Sequence, residues 1–215
     1  MNEVNLIRVM LVDDHAVVRS GIRRLLEQDA CFAVVAEAES GERAYQLFGE
    51  HLPDVTVIDL SMPGMGGMEA INRIVTRYPK AKLLVLSMHE NAAFASQALK
   101  AGAKAYLAKN GLAEELINAL LAVAKGQTYI NVNIAKNMAL QNSNSQEDLL
   151  QCLSAREFEI FRMLAEGLDS GLIASTLNIS SKTVANYQTT IKQKLGVNNP
   201  IELVRLAIRC KLIEG

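Results

Sequence analysis

Short apolar runs alternate five times with amphipathic stretches between residue 7 and about residue 126. Of all the features of the sequence, this alternation constrains the possible folds most. Each run has the length of a buried parallel strand, and each stretch has the apolar spacing of a helix. The alternation predicts an α/β domain, a parallel sheet with helices on both faces. A flavodoxin-like strand order is favoured, and a Rossmann-type half is the alternative. The predicted strands are 7–12, 33–36, 55–58, 82–87 and 103–107, and the predicted helices are 15–28, 41–50, 67–78, 92–101 and 112–125.

The alternation stops at about residue 127, and a polar segment then separates it from a purely helical region. The stretch QNSNSQED at 141–148 has almost no apolar anchor, which is typical of a linker, and a short helix is predicted before it at 134–140. These patterns predict an α/β domain at 1–128, a linker at 129–149 and an all-α domain at 150–215.

Four helices are predicted in the last region, at 154–166, 170–177, 182–195 and 200–210. Ser154 and Glu157 have the spacing of a capping box at the first of them. Gly167 and Gly196 follow the first and third helices, and Pro200 lies in the first turn of the fourth. Two short helices joined by a tight turn, with a helix on either side, form a four-helix helix-turn-helix module.

Composition narrows the class of protein further. The chain has 215 residues, half of them apolar, and its 22 basic and 23 acidic residues give a net charge of −1. A nucleic acid could therefore bind only through a local patch. The three cysteines lie far apart without metal-ligand spacing, which predicts a reducing, cytoplasmic environment. Without a basic and apolar leader, or an apolar run near ~18 residues, we expect a protein that is neither secreted nor membrane-spanning.

Polar side chains stand where four of the predicted strands end. Asp13 and Asp14 follow the first strand, Asp59 follows the third, Ser87 ends the fourth and Lys109 lies just beyond the fifth. Parallel strands bring their carboxyl ends to one edge, where open α/β sheets bind ligands. Carboxylate oxygens suit Mg²⁺, and a lysine can neutralise a transferred phosphoryl group. The sequence therefore predicts a magnesium and phosphoryl site with Asp59 as the nucleophilic acceptor.

Other interpretations of these residues are weaker. Each polar residue alone could cap a helix or meet solvent, but their joint position favours a site. A haloacid-type phosphatase needs a second aspartate two residues after its nucleophile, where this chain has Ser61. The glycine-rich PGMGG at 63–67 lacks the ending of a P-loop and is interpreted as the turn after the acceptor. We expect His15, His51 and His89 in surface or packing roles.

Residues 7–126 resemble the receiver domain of two-component response regulators. The motifs that carry the resemblance are LVDDH at 11–15, VIDLSMPGMGG at 57–67, LSMHE at 86–90 and AYLAKN at 105–110. The resemblance implies Mg²⁺ as cofactor and a sensor histidine kinase as phosphoryl donor. It implies Asp13, Asp14, Asp59 and the Ser61 backbone carbonyl as metal ligands, Asp59 as phosphoacceptor, Ser87 and Lys109 as phosphoryl-sensing residues, and Tyr106 as the switch residue.

The same resemblance implies how the domain would switch. Phosphorylation of Asp59 replaces a carboxylate by a group of roughly −2 charge with three acceptor oxygens. Ser87 is then drawn inward and leaves room for Tyr106 to rotate, which changes the face around the fourth helix and fifth strand. We expect this change to alter dimerisation or to release the C-terminal domain. The alternative for Tyr106 is a packing role in its strand.

The C-terminal domain resembles the LuxR-type helix-turn-helix of the NarL/FixJ regulators, in LSAREFEIFRMLAEG at 153–167 and LNISSKTVANYQTTIKQKLGV at 177–197. TVANYQ at 183–188 with IELVRLAIR at 201–209 is most similar to the GacA/UvrY branch. Helical spacing independently turns Val184, Tyr187, Ile191 and Leu195 inward and leaves a polar face that fits the major groove. The residues expected to contact DNA are Lys182, Thr183, Ala185, Asn186, Thr189, Lys192 and Gln193, with Lys194 as a further phosphate contact.

The charge of this domain is a modest signal for DNA. From Leu150 onward eight basic residues stand against six acidic ones, a net of +2. The chain also departs from its family at DSGL, 169–172, and at Ala185 and Thr189, which bears on the strength and sequence of DNA binding. The family implies that the last helix pairs two domains; the alternative is that its apolar residues only complete the small core.

The patterns together predict a transcription regulator that is phosphorylated on Asp59, requires Mg²⁺, and binds promoter DNA, as a homodimer when active. No enzymatic activity is expected beyond self-phosphorylation from small donors and slow self-dephosphorylation. Two alternatives remain open. The helical output could bind a protein instead of DNA, or DNA binding could be independent of phosphorylation.

Overall fold

The computed structural model describes residues 6–111, 113–141 and 148–213. Its contacts divide the chain into two compact units. The first comprises Met1–Glu90 and Ala98–Asn131, and the second comprises Asn91–Gln97 and Val132–Gly215. The first unit is α/β and the second is helical. Among the described residues no helix combines the length and the apolarity needed to cross a lipid bilayer.

The first unit is built on a fully parallel sheet with the strand order β2-β1-β3-β4-β5-β6. This order confirms the flavodoxin-like prediction and excludes the Rossmann-type half. The sixth strand was not predicted, because two residues are too short to show a periodic pattern. The strands are β1 Ile7–Val12, β2 Phe32–Ala38, β3 Val55–Ile58, β4 Leu83–Ser87, β5 Ala105–Ala108 and β6 Tyr129–Ile130.

Two strand boundaries differ from the prediction by two residues, and three others differ by one. β2 extends to Ala38, because its pairing with β1 continues past the polar Glu37. The Glu37 carboxylate accepts hydrogen bonds from Arg19 and Arg23, so it can lie in the strand without facing the core. β5 starts later than predicted, because the Ala103 amide still donates to a carbonyl at the end of the preceding helix. The five helices of the alternation are α1 Ala16–Glu27, α2 Gly41–His51, α3 Gly67–Arg77, α4 Ala92–Ala101 and α5 Ala113–Ala124.

The core of the first unit lies between the sheet and its covering helices. Helices cover both faces of the parallel sheet, so its strands do not alternate between apolar and polar residues. β3 and β4 are buried along their whole length. This arrangement favours the ends of the strands for charged side chains, although Glu37 lies within β2 and Thr56 is buried within β3. One buried cluster joins the sheet to α1 and α5 through Val9, Leu11, Leu26, Val57, Leu84, Leu107, Leu116, Leu120 and Val123.

The second unit consists of short capped helices. The Ser154 and Glu157 capping box is present as predicted, Gly196 ends its helix in the left-handed conformation at φ 65°, and Pro200 lies in a first turn. The unit contains α6 Val132–Gln141, α7 Asp148–Gln151, α8 Ala155–Ala165, α9 Ser170–Thr176, α10 Ser181–Leu195 and α11 Pro200–Arg209. The predicted linker, 129–149, therefore contains β6 and α6, and residues 142–147 of its polar stretch lie outside the described residues.

Aromatic and aliphatic side chains of α8, α9, α10 and α11 form the core of the helical unit. Of the inward stripe predicted on α10, Val184, Ile191 and Leu195 are buried and Tyr187 is partly buried. The rest of the buried set includes Phe158, Ile160, Phe161, Ile173, Leu203, Leu206 and Ala207. The inward stripe predicted on α10 is thus confirmed for three of its four residues.

Gly67 allows α3 to begin directly against the backbone of Asp59. A Cβ added at Gly67 would lie 1.9 Å from the Asp59 carbonyl oxygen, and the Gly67 amide donates to the Leu60 carbonyl at 3.1 Å. We predict that Gly67→Ala lowers the free energy of unfolding by about 2 kcal/mol or more, because the backbone at this contact would have to shift. Urea unfolding followed by far-ultraviolet circular dichroism measures the effect.

Gly21→Ala is the matched control for this prediction. Gly21 lies inside α1, and no described atom would fall within 4 Å of an added Cβ. The alanine should raise stability by about 1 kcal/mol through helix propensity. An equal response of the two variants would contradict the close approach at Gly67.

Candidate functional site

The carboxyl ends of β1, β3, β4 and β5 carry the predicted polar residues to one edge of the sheet. Asp13 and Asp14 follow β1, Asp59 follows β3, Ser87 ends β4 and Lys109 follows β5. The ligand atoms of the three aspartates lie within 4.8 Å of one another. The predicted convergence is therefore what the structure shows, and it follows from the parallel pairing of these strands.

Lys109 links the two buried carboxylates of this pocket. Its Nζ lies 2.6 Å from Asp13 Oδ2 and 2.9 Å from Asp59 Oδ2. Burial alone lowers the pKa of Lys109, but the hydrogen bonds and charges of Asp13 and Asp59 outweigh it and raise the pKa above its ordinary value. The Lys109 ammonium is therefore a fixed positive charge beside Asp59. Asp59, whose side chain is 2% exposed, also accepts a hydrogen bond from the Leu60 amide at 2.7 Å.

Asp14 supplies the observation that tests whether the pocket fits a cation. Its Oδ1 is buried and accepts no hydrogen bond of normal geometry from a described residue, although the His15 ring nitrogen Nδ1 lies 2.9 Å away. A buried carboxylate oxygen beside two further aspartates is costly unless a cation or a donor such as the His15 ring satisfies it. Three carboxylates face a single ammonium, so their charge is only partly compensated. The donor set consists of hard oxygens, which suits a hard divalent ion.

Two histidines border this pocket that the sequence interpretation placed in surface or packing roles. His15 Nδ1 lies 2.9 Å from Asp14 Oδ1 and 3.2 Å from Asp13 Oδ1. The His89 ring lies 3.3 Å from the Ser61 hydroxyl. The position of His15 directly after the acidic pair was the one signal in the sequence. Nothing in the sequence pattern indicates the position of the His89 ring, because it depends on how β3 and β4 are paired.

A chain of hydrogen bonds connects Ser87, His89 and Tyr106. The His89 amide donates to Ser87 Oγ at 3.2 Å, and the Tyr106 hydroxyl donates to the His89 carbonyl at 2.7 Å. Ser87 and Tyr106 are both fully buried. Burial raises the pKa of Tyr106 far above its ordinary value, a hydrogen bond with Ser87 opposes this, and the Asp59 charge adds to it. The phenol therefore stays neutral and can act only as a hydrogen-bonding group. The metal-ligand role of the Ser61 carbonyl stays a prediction.

The helix α10 presents the predicted polar face to solvent. Lys182, Ala185, Asn186, Thr189 and Gln193 are exposed, whereas Thr183 and Lys192 are partly buried. The Ser180 side chain caps the helix by accepting from the Thr183 amide at 3.1 Å. The Thr189 hydroxyl donates to the Ala185 carbonyl at 3.0 Å, within the helix. This face therefore presents two amide side chains, one lysine and two small side chains, which are Asn186, Gln193, Lys182, Ala185 and Thr189.

Lys194, predicted as a phosphate contact, forms an ion pair within the helical unit, and its role at DNA stays a prediction. Its Nζ lies 2.6 Å from Glu157 Oε2, the carboxylate that also accepts from the Ser154 amide in the capping box. Burial alone raises the pKa of Glu157, but Lys194 and Ser154 lower it more, so the pKa of Glu157 lies below its ordinary value. The ion pair thus ties α8 to α10, 37 residues apart in sequence.

We predict that Glu157→Gln weakens the α8–α10 pair by about 1 kcal/mol at neutral pH. A carboxylate whose folded pKa is depressed stabilises the fold above its unfolded pKa, and that contribution is lost as the pH falls through the folded pKa. The difference between wild type and variant should therefore shrink between about pH 7 and about pH 3. Hydrogen exchange of α8 and α10 peptides measures it. Lys194→Met is the partner control, and a difference independent of pH would contradict the assigned ion pair.

The fold of the first unit and the pocket at its edge are those of a receiver, a domain that takes up a phosphoryl group on an aspartate. Two family models match the sequence. "Response regulator receiver domain" matches residues 9–121, and "Bacterial regulatory proteins, luxR family" matches residues 151–207. The chain belongs to the two-component response regulators with a LuxR-type DNA-binding domain.

Curated relatives match over nearly their whole length. Oxygen regulatory protein NreC of Staphylococcus carnosus (strain TM300) is 39% identical, over 96% of this chain and 99% of the relative. Response regulator UvrY of Escherichia coli (strain K12) is 38% identical, over 95% of this chain and 94% of the relative. The match to UvrY agrees with the resemblance to the GacA/UvrY branch, and NreC is similar at the same level.

Solved structures agree with both domains. RcsB from Salmonella enterica serovar Typhimurium, bound to promoter rprA in the presence of the phosphomimetic BeF3-, is 31% identical with a TM-score of 0.68, over 93% of this chain and 98% of that one. A LuxR-family two-component response regulator from Aurantimonas sp. SI85-9A1 is 41% identical with a TM-score of 0.62, over 65% of this chain and 99% of that one.

Proposed function

We propose that this chain is a bacterial transcription regulator, acting in the cytoplasm, that accepts a phosphoryl group on Asp59 from a sensor histidine kinase and then binds promoter DNA. The receiver would occupy residues 1–128, the linker 129–149 and the DNA-binding domain 150–215. The observation that carries the proposal is the buried Asp59 carboxylate, 2.9 Å from the Lys109 ammonium and within reach of two further aspartates. Promoter binding is supported by the DNA complex of the related RcsB.

Asp59 is arranged to act as a nucleophile rather than as a general base. Its Oδ1 is oriented by the Leu60 amide, and its Oδ2 faces Lys109. An Asp59 oxygen would attack phosphorus in line with the departing histidine nitrogen of the kinase, so an O–P bond forms as the N–P bond breaks. Lys109 would pair with a phosphoryl oxygen after transfer. The protein would therefore be a phosphoryl acceptor, not an enzyme, apart from self-phosphorylation from small donors and slow self-dephosphorylation.

Mg²⁺ is the proposed cofactor of this pocket. Asp13, Asp14 and Asp59 would hold it together with the Ser61 carbonyl, and the clustering of three carboxylates beside the single Lys109 ammonium supports the assignment. When bound, Mg²⁺ supplies charge neutralisation for the phosphoryl oxygens.

Ser87 and Tyr106 are the proposed switch. The Ser87 hydroxyl accepts from the His89 amide, and a phosphoryl group on Asp59 would offer that hydroxyl a strong acceptor. The Tyr106 side chain is already buried in this structure, and its hydroxyl donates to the His89 carbonyl. We therefore propose that phosphorylation stabilises this arrangement of the phenol rather than creating it, and that the population of the arrangement sets the activity of the output domain.

The outward face of α10 would enter the major groove. Asn186 and Gln193 can each pair with an adenine, and Ala185 and the Thr189 methyl can contact thymine methyls. Lys182, Thr183 and Lys192 would bind phosphates. A homodimer through α11 is supported by its two exposed apolar residues, Ile201 and Ile208, on a helix whose Leu203 and Leu206 already fill the core. Two such domains would read a two-fold site.

We predict that Asp59→Asn reduces phosphate incorporation from acetyl phosphate and Mg²⁺ to background, because the amide cannot form the acyl phosphate. Phosphate-affinity gel electrophoresis measures incorporation. Asp54→Asn is the matched control, since Asp54 is exposed before β3, where it accepts from the Arg8 amide. Full incorporation in Asp59→Asn would refute the acceptor. Comparing DNA affinity with and without beryllofluoride tests dependence on phosphorylation.

We predict that substitutions of two residues of α10 change DNA binding in different ways. The DNA fragments for this test come from genome-wide DNA capture. Asn186→Ala should weaken binding by about 1–3 kcal/mol and relax specificity at one base pair. Lys182→Ala should weaken binding to all DNA sequences alike. It should also reduce the number of counterions released on binding by about one. Gel shift with competitor DNA measures both, with Lys136→Ala on α6 as the control for loss of a lysine. Capture of no DNA by either phosphorylation state would favour a protein-binding output.

A further inference from the structure

We propose that His15 is an additional ligand of the acidic pocket and that it determines which divalent ion the pocket prefers. The inference rests on the proposed function, because it concerns the cation of the phosphoacceptor site. The class of ligand it predicts is a divalent transition ion that accepts an imidazole more readily than Mg²⁺ does, such as Mn²⁺, bound by one imidazole nitrogen beside the carboxylates.

The geometry places a nitrogen donor where the aspartate oxygens converge. His15 Nδ1 lies 2.9 Å from Asp14 Oδ1 and 3.2 Å from Asp13 Oδ1. One ligand atom from each of His15, Asp13, Asp14 and Asp59 lies within 4.8 Å of every other. Ligands on opposite sides of an ion with bonds of about 2.0–2.3 Å are separated by up to roughly 4.5 Å. The four donors are therefore close enough to share one ion after small adjustments.

The backbone around His15 favours this orientation of the ring. His15 is the N-cap residue of α1, with φ −87° and ψ 106°, yet its side chain forms no capping hydrogen bond to the described residues of the helix. N-cap side chains commonly accept from the second or third helical amide. Here the His15 amide donates to Asp13 Oδ1 at 2.8 Å, and the ring turns toward the carboxylates instead. The His15 side chain therefore does not cap α1, and its ring nitrogen Nδ1 lies at the pocket instead.

The donor chemistry gives the predicted selectivity. Mg²⁺ prefers oxygen ligands and retains its waters, so an imidazole adds little to its affinity. Transition ions bind imidazole well, and their affinity for such mixed sites rises along the series from Mn²⁺ to Cu²⁺. A ring that only hydrogen-bonds to the aspartates would instead affect all dications alike. The two roles therefore differ in how the removal of His15 changes the ratio of two affinities.

The test is isothermal titration of the full chain with MgCl₂ and with MnCl₂, supported by the loss of free Mn²⁺ signal in electron paramagnetic resonance. We expect His15→Ala to weaken Mn²⁺ binding about 10-fold or more, and Mg²⁺ binding by less than about twofold. His15→Asn restores a helix cap without an imidazole, and should show the same selective loss. His51→Ala, which removes a histidine at the end of α2, should change neither affinity.

Each outcome of this titration decides a separate point. A selective loss of Mn²⁺ affinity in both His15 variants supports the ligand role. An equal loss for both ions, or no loss, overturns it, while Mg²⁺ binding by the wild type still supports the phosphoacceptor pocket. Failure of the wild-type chain to bind either ion would overturn the His15 ligand and the proposed cation site together.

Discussion

The contact on which the receiver most depends is the Lys109 ammonium between the carboxylates of Asp13 and Asp59. Two aspartates buried side by side repel each other, and a single lysine between them converts that repulsion into a pair of short hydrogen bonds. Because the three residues follow β1, β3 and β5, the contact also joins the ends of three strands. The charges are already in place in this structure, so the proposed phosphoryl transfer would need little reorganisation. Structural integrity and reactivity at this edge thus have a common electrostatic origin.

Much of this site was predictable because the carboxyl ends of parallel strands lie at one edge of the sheet. The runs ending at Asp13, Asp59, Ser87 and Lys109 predicted their convergence, and the structure confirms it. His15 and His89 could not be assigned from the pattern, since a ring position depends on side-chain torsions and on pairing between distant strands. Lys194 was expected at a phosphate for a similar reason: its partner Glu157 is 37 residues away, and helical spacing within α10 carries no information about it.

The C-terminal helical domain uses several of its polar and charged side chains in contacts within the fold. Capping by Ser154, Ser180 and Asn199 begins three of its helices, and the Glu157–Lys194 pair holds two of them together. One lysine that could have attracted phosphates is therefore committed to the fold. With a net charge near neutrality, the domain is expected to rely on the amides and small side chains of α10 for recognition, and so to discriminate between sequences more than it binds DNA indiscriminately.

The absence of a side chain at Gly67 has a consequence for the proposed response to phosphorylation. The start of α3 lies so close to the carbonyl of Asp59 that the main chain on that side has no room to move. Bulk and charge added to the Asp59 side chain, as proposed, would not be accommodated there. A mechanical response would instead be directed toward the end of β4, where the hydroxyl groups of Ser87 and Tyr106 can exchange partners without moving a helix.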